Sequence, residues 1–220
     1  MLYVYVLAIL LALVIYSRMS QSLTRECIFS GGSTCWPVIT RYANYREAAQ
    51  LLEKLNQRLM FFLEWLRKKY HVGESDDTIA LEGPEHDVAR SLKQRANVEN
   101  LLRRYNYEAV YENDPLAGDT TSYTISKGRA MYLCLRRKDR PEELVDEHTL
   151  FFVILHEISH IANYADVGHT PLFWRVFKFI LEEARQSGAH APANYTVSPV
   201  MFCGLKIDYS PYHDNALLPL

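Results

Sequence analysis

The chain has 220 residues, of which 49% are hydrophobic and 23% are charged, and its formal net charge is −2. The apolar fraction supports a folded domain with its own core and excludes a disordered chain. The near-neutral charge excludes a broadly basic nucleic-acid-binding protein, so the net charge gives no support to nucleic acid as a partner. Four cysteines without any C-x-x-C pair argue against a disulfide scaffold and against a cysteine-based zinc finger.

The first segment, Met1 to Ser17, carries no charged side chain, and Arg18 ends the run. As a helix it reaches roughly 25 Å, against a hydrocarbon core of about 30 Å. Two alternatives to a membrane anchor are a signal peptide and a helix of the domain core. A signal peptide is disfavoured because no basic residue precedes the run and no A-x-A pattern follows it. We therefore predict a single-pass transmembrane anchor over residues 1–19. Arg18 and Arg25 follow the run, so the positive-inside rule places the rest of the chain on the cytoplasmic side.

Residues 20–40 are predicted to be a linker, because Gly31-Gly32-Ser33 interrupts any regular pattern. Cys27 and Cys35 fall in this segment. With the domain on the cytoplasmic side, both are expected to be free thiols. Residues 41–220 are then expected to form a single domain.

The remaining segments mix helical and strand-like patterns, which predicts an α+β fold. Four segments have apolar residues at helical spacing: 45–70, about 85–105, 146–165 and 171–186. Strand-like runs lie at 107–111, 122–125, 130–135 and within 196–211. The second and third of these runs are expected to form a hairpin around Lys127-Gly128.

The motif H-E-x-x-H occurs as His156, Glu157 and His160. On a helix, positions i and i+4 lie one above the other, so both imidazoles point towards one spot, as two ligands of a zinc ion must. Glu157 is then placed to take a proton from a metal-bound water molecule. The motif follows an apolar run over residues 150–155, which predicts a helix with a buried face that holds the pair rigidly.

A third metal ligand must come from elsewhere in the chain. The candidates are His169, Asp166, and Glu182 or Glu183. His169 follows Gly168, which lets the chain turn back towards the pair. Asp166 occupies the third-ligand position of the metzincin pattern, with Asn163 in place of its glycine. The two glutamates correspond to the ligand on the following helix in thermolysin-like enzymes. Ligand preference and turn chemistry favour His169.

The segment from His169 to Trp174, H-T-P-L-F-W, gives the chain a recognisable likeness. Together with H-E-x-x-H it resembles the WLM and SprT-like zinc metallopeptidases, which are zincins with an H-x-x-x-F-W type segment after the motif. The similarity extends upstream through YTISKGRAMYLCLR and DEHTLFFVILHE, and so covers roughly residues 105–187. The spacing between His160 and His169 is longer than is usual in WLM proteins, so the turn between them is expected to differ.

This resemblance implies a zincin-like domain with a small β-sheet and an active-site helix. It implies His156, His160 and His169 as ligands of Zn²⁺ and Glu157 as the catalytic base. Combined with the N-terminal anchor and the PVMFCGL tail, the chain is similar to WLM-like proteins of large DNA viruses. That similarity implies a location in a viral membrane or virion.

We therefore predict a membrane-anchored zinc metallopeptidase that hydrolyses peptide bonds in proteins or peptides. Four downstream residues are candidate hydrogen-bond donors to the reacting carbonyl: Tyr195, Tyr209, Tyr212 and His213. Two alternatives stay open. In the first, the chain is a catalytically inactive, zinc-stabilised, membrane-anchored interaction module. In the second, it is a structural membrane protein in which H-E-x-x-H is incidental.

Overall fold

The computed structural model describes Ile9 and residues 25–73, 85–118 and 121–220. Apart from Ile9, the anchor predicted over residues 1–19 lies outside these ranges. Among the helices in the described part of the chain, none is long and apolar enough to cross a membrane. The described residues from Arg25 onward form the folded domain.

Four helices are present within the described residues, and they match the four predicted from apolar spacing. Their bounds are α1 Tyr45–Lys69, α2 Glu85–Arg104, α3 Glu147–Ala162 and α4 Pro171–Gln186. Helix α1 buries a single apolar stripe formed by Ala48, Ala49, Leu52, Leu55, Leu59, Phe62, Leu63 and Leu66. This stripe repeats at intervals of three and four residues, which is the pattern of a helix with one face against a core.

Helix α3 lies at the centre of the domain and is buried on almost every side. It contacts α1, α2 and α4, and it also contacts a strand of the sheet. Its first turn is capped by Asp146, whose carboxylate accepts a hydrogen bond from the backbone amide of Thr149 at 2.8 Å. A helix that is apolar nearly all round must be surrounded by other elements, and α3 is therefore a rigid support for any side chain that leaves the core.

The strands form three small sheets among the described residues. Their bounds are β1 Arg25–Phe29, β2 Cys35–Ile39, β3 Val110–Glu112, β4 Tyr123–Ile125, β5 Ala130–Leu133, β6 Val200–Phe202 and β7 Leu205–Ile207. The central sheet has the order β3-β5-β4, with β3 parallel and β4 antiparallel to β5. The predicted hairpin is thus confirmed as β4–β5, and the strand-like tail contains the antiparallel hairpin β6–β7. The coarse prediction of an α+β domain is confirmed.

The linker prediction for residues 20–40 is wrong where the structure describes that segment. Strands β1 and β2 pair antiparallel there, and the Gly31-Gly32-Ser33 segment lies in the loop that connects them. Val38 and Ile39 of β2 are buried, so the hairpin belongs to the domain core. A Gly-Gly-Ser segment can serve equally well as a linker or as a hairpin loop, and only packing against α1 and β3 distinguishes the two.

The prediction of free thiols is also wrong. Cys27 and Cys35 form a disulfide across β1 and β2, where their Cα atoms lie 5.2 Å apart. A second disulfide joins Cys134, directly after β5, to Cys203 in the turn between β6 and β7, with a Cα–Cα distance of 6.2 Å. All four cysteines of the sequence are therefore paired. The prediction failed because it rested on a compartment inferred from two flanking charges, and because a single sequence does not show which cysteines the fold brings together.

Candidate metal centre

His156 and His160 project from the same face of α3, one helical turn apart. Their ring centroids are 5.0 Å apart, and both side chains are half-buried. The H-E-x-x-H motif lies on a helix as predicted, and the i, i+4 spacing brings the two imidazoles to one spot. Because α3 is fixed by the core, neither ring depends on a mobile loop for its position.

The loop between α3 and α4 carries the third histidine. Gly168 has φ of 79°, a left-handed conformation that reverses the chain at the predicted position. Helix α4 begins directly afterwards, where the hydroxyl of Thr170 accepts a hydrogen bond from the backbone amide of Phe173 at 3.2 Å. His169 is thus held between a glycine turn and a capped helix, which restricts where its imidazole can lie.

The three imidazoles converge through the same ring atom. His169 Nε2 lies 3.0 Å from His156 Nε2 and 3.3 Å from His160 Nε2. Three nitrogen ligands at 2.0–2.1 Å from a tetrahedral zinc ion lie about 3.3 Å from one another. The observed separations therefore fit a single small metal ion, and the chemistry of three imidazoles suits zinc.

Two aromatic residues at the start of α4 form the backing of the histidine cluster. The Phe173 ring stacks on His160 at a centroid distance of 4.1 Å and meets His156 and His169 edge-on at 4.9 Å each. The Trp174 ring lies 5.6 Å from that of His169. The F-W pair that follows His169 thus packs against the imidazoles and limits their rotation.

The protonation state of the cluster suits metal binding. Burial, together with the neighbouring imidazoles, lowers the pKa of His156 to about 3, and burial likewise lowers the pKa of His160 to about 4. Burial also lowers the pKa of His169. All three rings are therefore neutral at physiological pH, which is the form that ligates a metal ion.

Glu157 lies next to the cluster and is almost completely buried, with 5% of its surface exposed. It faces strand β4, and both Glu157 and Thr124 of that strand line the same cleft. Burial raises the pKa of Glu157 to about 8, and the Thr124 amide opposes this rise. The side chain nevertheless lines the cleft into which the histidines open, so a buried carboxyl group is available beside three potential metal ligands.

Asp166, one alternative third ligand, is used by the loop itself. Its carboxylate accepts hydrogen bonds from the hydroxyl of Thr170 and from the backbone amide of Val167. Asn163, at which a metzincin-like turn would occur, has φ of −82° and is not left-handed. The chain therefore reverses at Gly168 and not at Asn163, and Asp166 stabilises the resulting loop.

The other alternative ligands face away from the histidines. The Glu183 carboxylate binds Lys69 Nζ of α1 at 2.7 Å. Glu182 lines a separate polar hollow with Lys178 and Tyr212. Within the described residues, the cluster suited to a metal consists of His156, His160 and His169.

The histidine cluster opens into a cleft of about 700 Å³. Helices α3 and α4, strand β4 and the β6–β7 hairpin form its walls. Of the four candidate donors, Tyr209 lines this cleft, where its hydroxyl donates a hydrogen bond to Asp214 at 2.8 Å. Tyr195 is buried against Phe152, whereas Tyr212 and His213 line the separate polar hollow. Tyr209 is therefore the candidate donor that shares the cleft with the histidines.

Lys127 is a residue of the site that the sequence pattern did not single out. It lines the cleft, and its ammonium group donates hydrogen bonds to the backbone carbonyls of Asn163 and Asp166. Lys127 therefore ties the β4–β5 hairpin to the loop that carries His169. The Lys127-Gly128 pair indicated a turn in the sequence, but its contact with the loop depends on the tertiary fold.

Comparison with known proteins gives viral relatives of unassigned function. An uncharacterized protein of Acanthamoeba polyphaga mimivirus is 26% identical over 171 residues, covering 78% of this chain and 76% of that protein. An uncharacterized protein of Invertebrate iridescent virus 3 is 34% identical over 83 residues, covering 38% of this chain and 50% of that protein. An uncharacterized protein of Invertebrate iridescent virus 6 is 25% identical over 147 residues, covering 63% of this chain and 79% of that protein. No protein-family model and no solved structure matches the chain.

Proposed function

We propose that the protein is a zinc-dependent peptidase of the WLM/SprT-like type that hydrolyses peptide bonds in proteins. The observation that carries this proposal is the convergence of three imidazole Nε2 atoms at an open cleft, with the buried carboxyl group of Glu157 beside them. A zinc site that only stabilises a fold has all four positions filled by the protein, whereas a catalytic site has three protein ligands and an open position. Three histidines facing a cleft fit the second arrangement.

When bound, a zinc ion supplies the positive charge that polarises the scissile carbonyl and lowers the pKa of an attacking water molecule. Beside that positive charge the pKa of Glu157 falls and its carboxyl group ionises, so that it would accept the proton of the water and pass it to the leaving amine. The backbone of Thr124 favours the ionised form of this carboxyl group. Phe173 and Trp174 exclude water from one side of the histidines and keep the rings in their orientation.

Strand β4 is placed to orient an extended substrate. It is an edge strand, paired with β5 on one side, and residues 121–124 line the cleft. An edge strand offers unpaired backbone groups to which an extended peptide can add as a further strand. A peptide aligned in this way lies alongside the catalytic carboxyl group, and its side chains alternate between the cleft wall and solvent.

The proposal is tested by metal removal and replacement. The full chain, purified in detergent, should cleave an unfolded protein. A chelator should abolish this cleavage activity, and added zinc should restore it. Recovery with zinc but not with magnesium is expected, because magnesium prefers oxygen ligands. If the zinc-loaded chain leaves unfolded proteins and peptides intact, the inactive interaction module replaces the peptidase.

We further propose that residues 1–19 anchor the chain in a membrane, such as a viral membrane or that of a virion. The flanking Arg18 and Arg25 favour a domain on the cytoplasmic side. The two disulfides favour the opposite side, because disulfides form and persist in oxidising compartments, and we take them as the stronger evidence. We therefore place the domain on the oxidising side of the membrane. Thiol labelling of the denatured chain, after acid quenching of intact cells, checks this placement, since a cytoplasmic domain keeps its four cysteines reduced and an oxidised one labels only after reduction.

A further inference from the structure

Part of the wall of the cleft is apolar, and the space that this part borders is named the apolar chamber. We define this chamber by Phe152 and Val153 of α3, Phe177 of α4, and Phe202, Leu205 and Ile207 of the β6–β7 hairpin. It is continuous with the metal centre, since His156 and Phe177 rings lie 5.2 Å apart edge to face. A group bound at the metal centre therefore has the chamber beside it.

The inner walls of the chamber are rigid. Phe152, Phe177 and Phe202 are 4%, 1% and 4% exposed, so each ring is held by its neighbours on nearly every side and presents a small part of its surface to the cleft. The Phe152 and Phe177 rings also contact each other at a centroid distance of 5.2 Å. Closely packed aromatic walls cannot collapse into the space they border, so the chamber persists as a hollow.

The hairpin wall is held by a covalent bond. Phe202 and Leu205 are cross-strand partners that flank the turn Cys203-Gly204, and Cys203 is bonded to Cys134 after β5. A two-stranded hairpin is marginally stable by itself, so the disulfide fixes a wall that would otherwise be loose. This bond restricts the position of the neighbouring Phe202 relative to β5.

The charged side chains at Lys127, Lys206 and Asp208 line the same cleft and have partners of their own. Lys206 and Asp208, which also line the cleft, pair with each other at 3.4 Å. Lys127 is engaged by backbone carbonyls of the α3–α4 loop. The six chamber residues carry no charge and no side-chain hydrogen-bonding group, so a charged group seated against the buried rings of Phe152 and Phe177 exchanges hydration for apolar contacts.

We propose that the chamber selects substrates with a large apolar side chain next to the scissile bond, and that Phe202 and Leu205 are the specificity-determining residues. This inference rests on the proposed peptidase function and names its substrate class. Burying a side chain such as Leu or Phe contributes about 1.5–3 kcal/mol, which corresponds to roughly a 10- to 150-fold preference over glycine in kcat/KM. A carboxylate at the same position is expected to be rejected more strongly still.

The first test maps the bonds that the full-length, zinc-loaded protein cleaves in a mixture of unfolded proteins. Leu, Met, Phe and Tyr should be enriched at least about tenfold at one fixed position beside the cleaved bond, and Asp and Glu should be depleted there. Cleavage without residue preference at any position overturns the specificity proposal and leaves the peptidase proposal intact.

The second test changes the chamber wall on one hairpin. In Leu205→Asp the wall gains a charge at a position that is 57% exposed, so folding should survive. The preference for a leucine-containing peptide over its glycine counterpart should fall at least about tenfold. Met201→Asp is the matched control, because Met201 lies on the same hairpin, is 56% exposed and does not line the cleft. Equal preference in both variants and wild type overturns the proposal.

A third measurement does not depend on turnover. Zinc-loaded Glu157→Gln should bind a short peptide containing leucine at least about tenfold more tightly than the same peptide with aspartate at that position. Equal binding of the two peptides counts against the chamber whether or not the wild type is a peptidase. Selective binding by a chain that never cleaves keeps the chamber and rejects the peptidase.

Discussion

His169 Nε2 lies 3.0 Å from His156 Nε2, although the two histidines are 13 positions apart in the chain. The contact is created by the reversal at Gly168 and by the start of α4 at Pro171. It makes His169 the third ligand of the proposed zinc site. It also explains why the spacing after H-E-x-x-H can exceed that of related motifs, since the turn position decides where the ring lies.

The third-ligand assignment is tested by paired substitutions in the loop. His169→Ala should weaken zinc binding by roughly two orders of magnitude or more, because two histidines alone make an incomplete site. Asp166→Ala should weaken zinc binding by less than about tenfold, because Asp166 binds Thr170 within the loop and is not one of the three proposed ligands. Competition with a fluorescent chelator measures both affinities. The opposite order of effects would move the third ligand to Asp166.

The anchor is tested by fractionation. Full-length chain should stay with membranes after high-salt and alkaline washing, because apolar burial is not weakened by salt, whereas a chain that starts at Gln21 should be released. Release of the full-length chain by salt alone indicates a peripheral contact. A mature N-terminus after residue 20 identifies the segment as a signal peptide.

The two disulfides should stabilise the domain to different extents. In the chain-entropy picture, the bond between Cys134 and Cys203 closes a loop of 69 residues and contributes about 4 kcal/mol, whereas Cys27–Cys35 closes one of 8 residues and contributes about 2.5 kcal/mol. Denaturant unfolding of the double variants Cys134→Ser/Cys203→Ser and Cys27→Ser/Cys35→Ser measures both losses in the free energy of unfolding. An equal or smaller loss for the first pair contradicts this ranking.

His190 predicts how stability responds to acid. It is 2% exposed, neither ring nitrogen has a hydrogen-bond partner within the described residues, and burial lowers its pKa to about 3. In the unfolded chain the pKa is about 6.5, so the unfolded state binds a proton first and stability falls as the pH drops below about 6.5. The free energy of unfolding falls by up to about 1.4 kcal/mol for each pH unit below 6.5, until the pH nears 3.

The matched variant is His190→Phe, which keeps a ring beside Phe151 and Phe152 and cannot be protonated. Its free energy of unfolding, measured with chelator present in both samples, should fall less between pH 7 and pH 4.5 than that of the wild type. If the free energy of unfolding changes with pH in the same way in both proteins, His190 does not contribute to the acid sensitivity of the fold.

Local patterns in the sequence predicted those parts of the fold that depend on neighbouring residues. The four helices follow from apolar spacing, and the juxtaposition of His156 and His160 follows from the geometry of one helical turn. The start of α4 was predictable from Thr170 and Pro171, a capping hydroxyl followed by a proline in the first turn.

Contacts between distant segments were not predictable from one sequence. Cys134 and Cys203 are 69 residues apart, and nothing local indicates that the β6–β7 hairpin lies beside β5. The same holds for Thr124 and Glu157, which line one cleft, and for Lys127 against the α3–α4 loop. The hairpin at residues 25–39 was missed because its Gly-Gly-Ser loop has the composition of a linker.

The central claim is tested most directly by the rate at which zinc-loaded wild type and Glu157→Gln cleave an unfolded protein at equal zinc content. Glutamine keeps the shape of the side chain but cannot accept the proton, so the variant should bind about one zinc per chain and lose activity by a factor of roughly 10²–10⁴. The wild type should cleave the unfolded protein for the whole of the measurement. Equal rates in the two proteins would contradict the assignment of Glu157 as the catalytic base of a zinc peptidase.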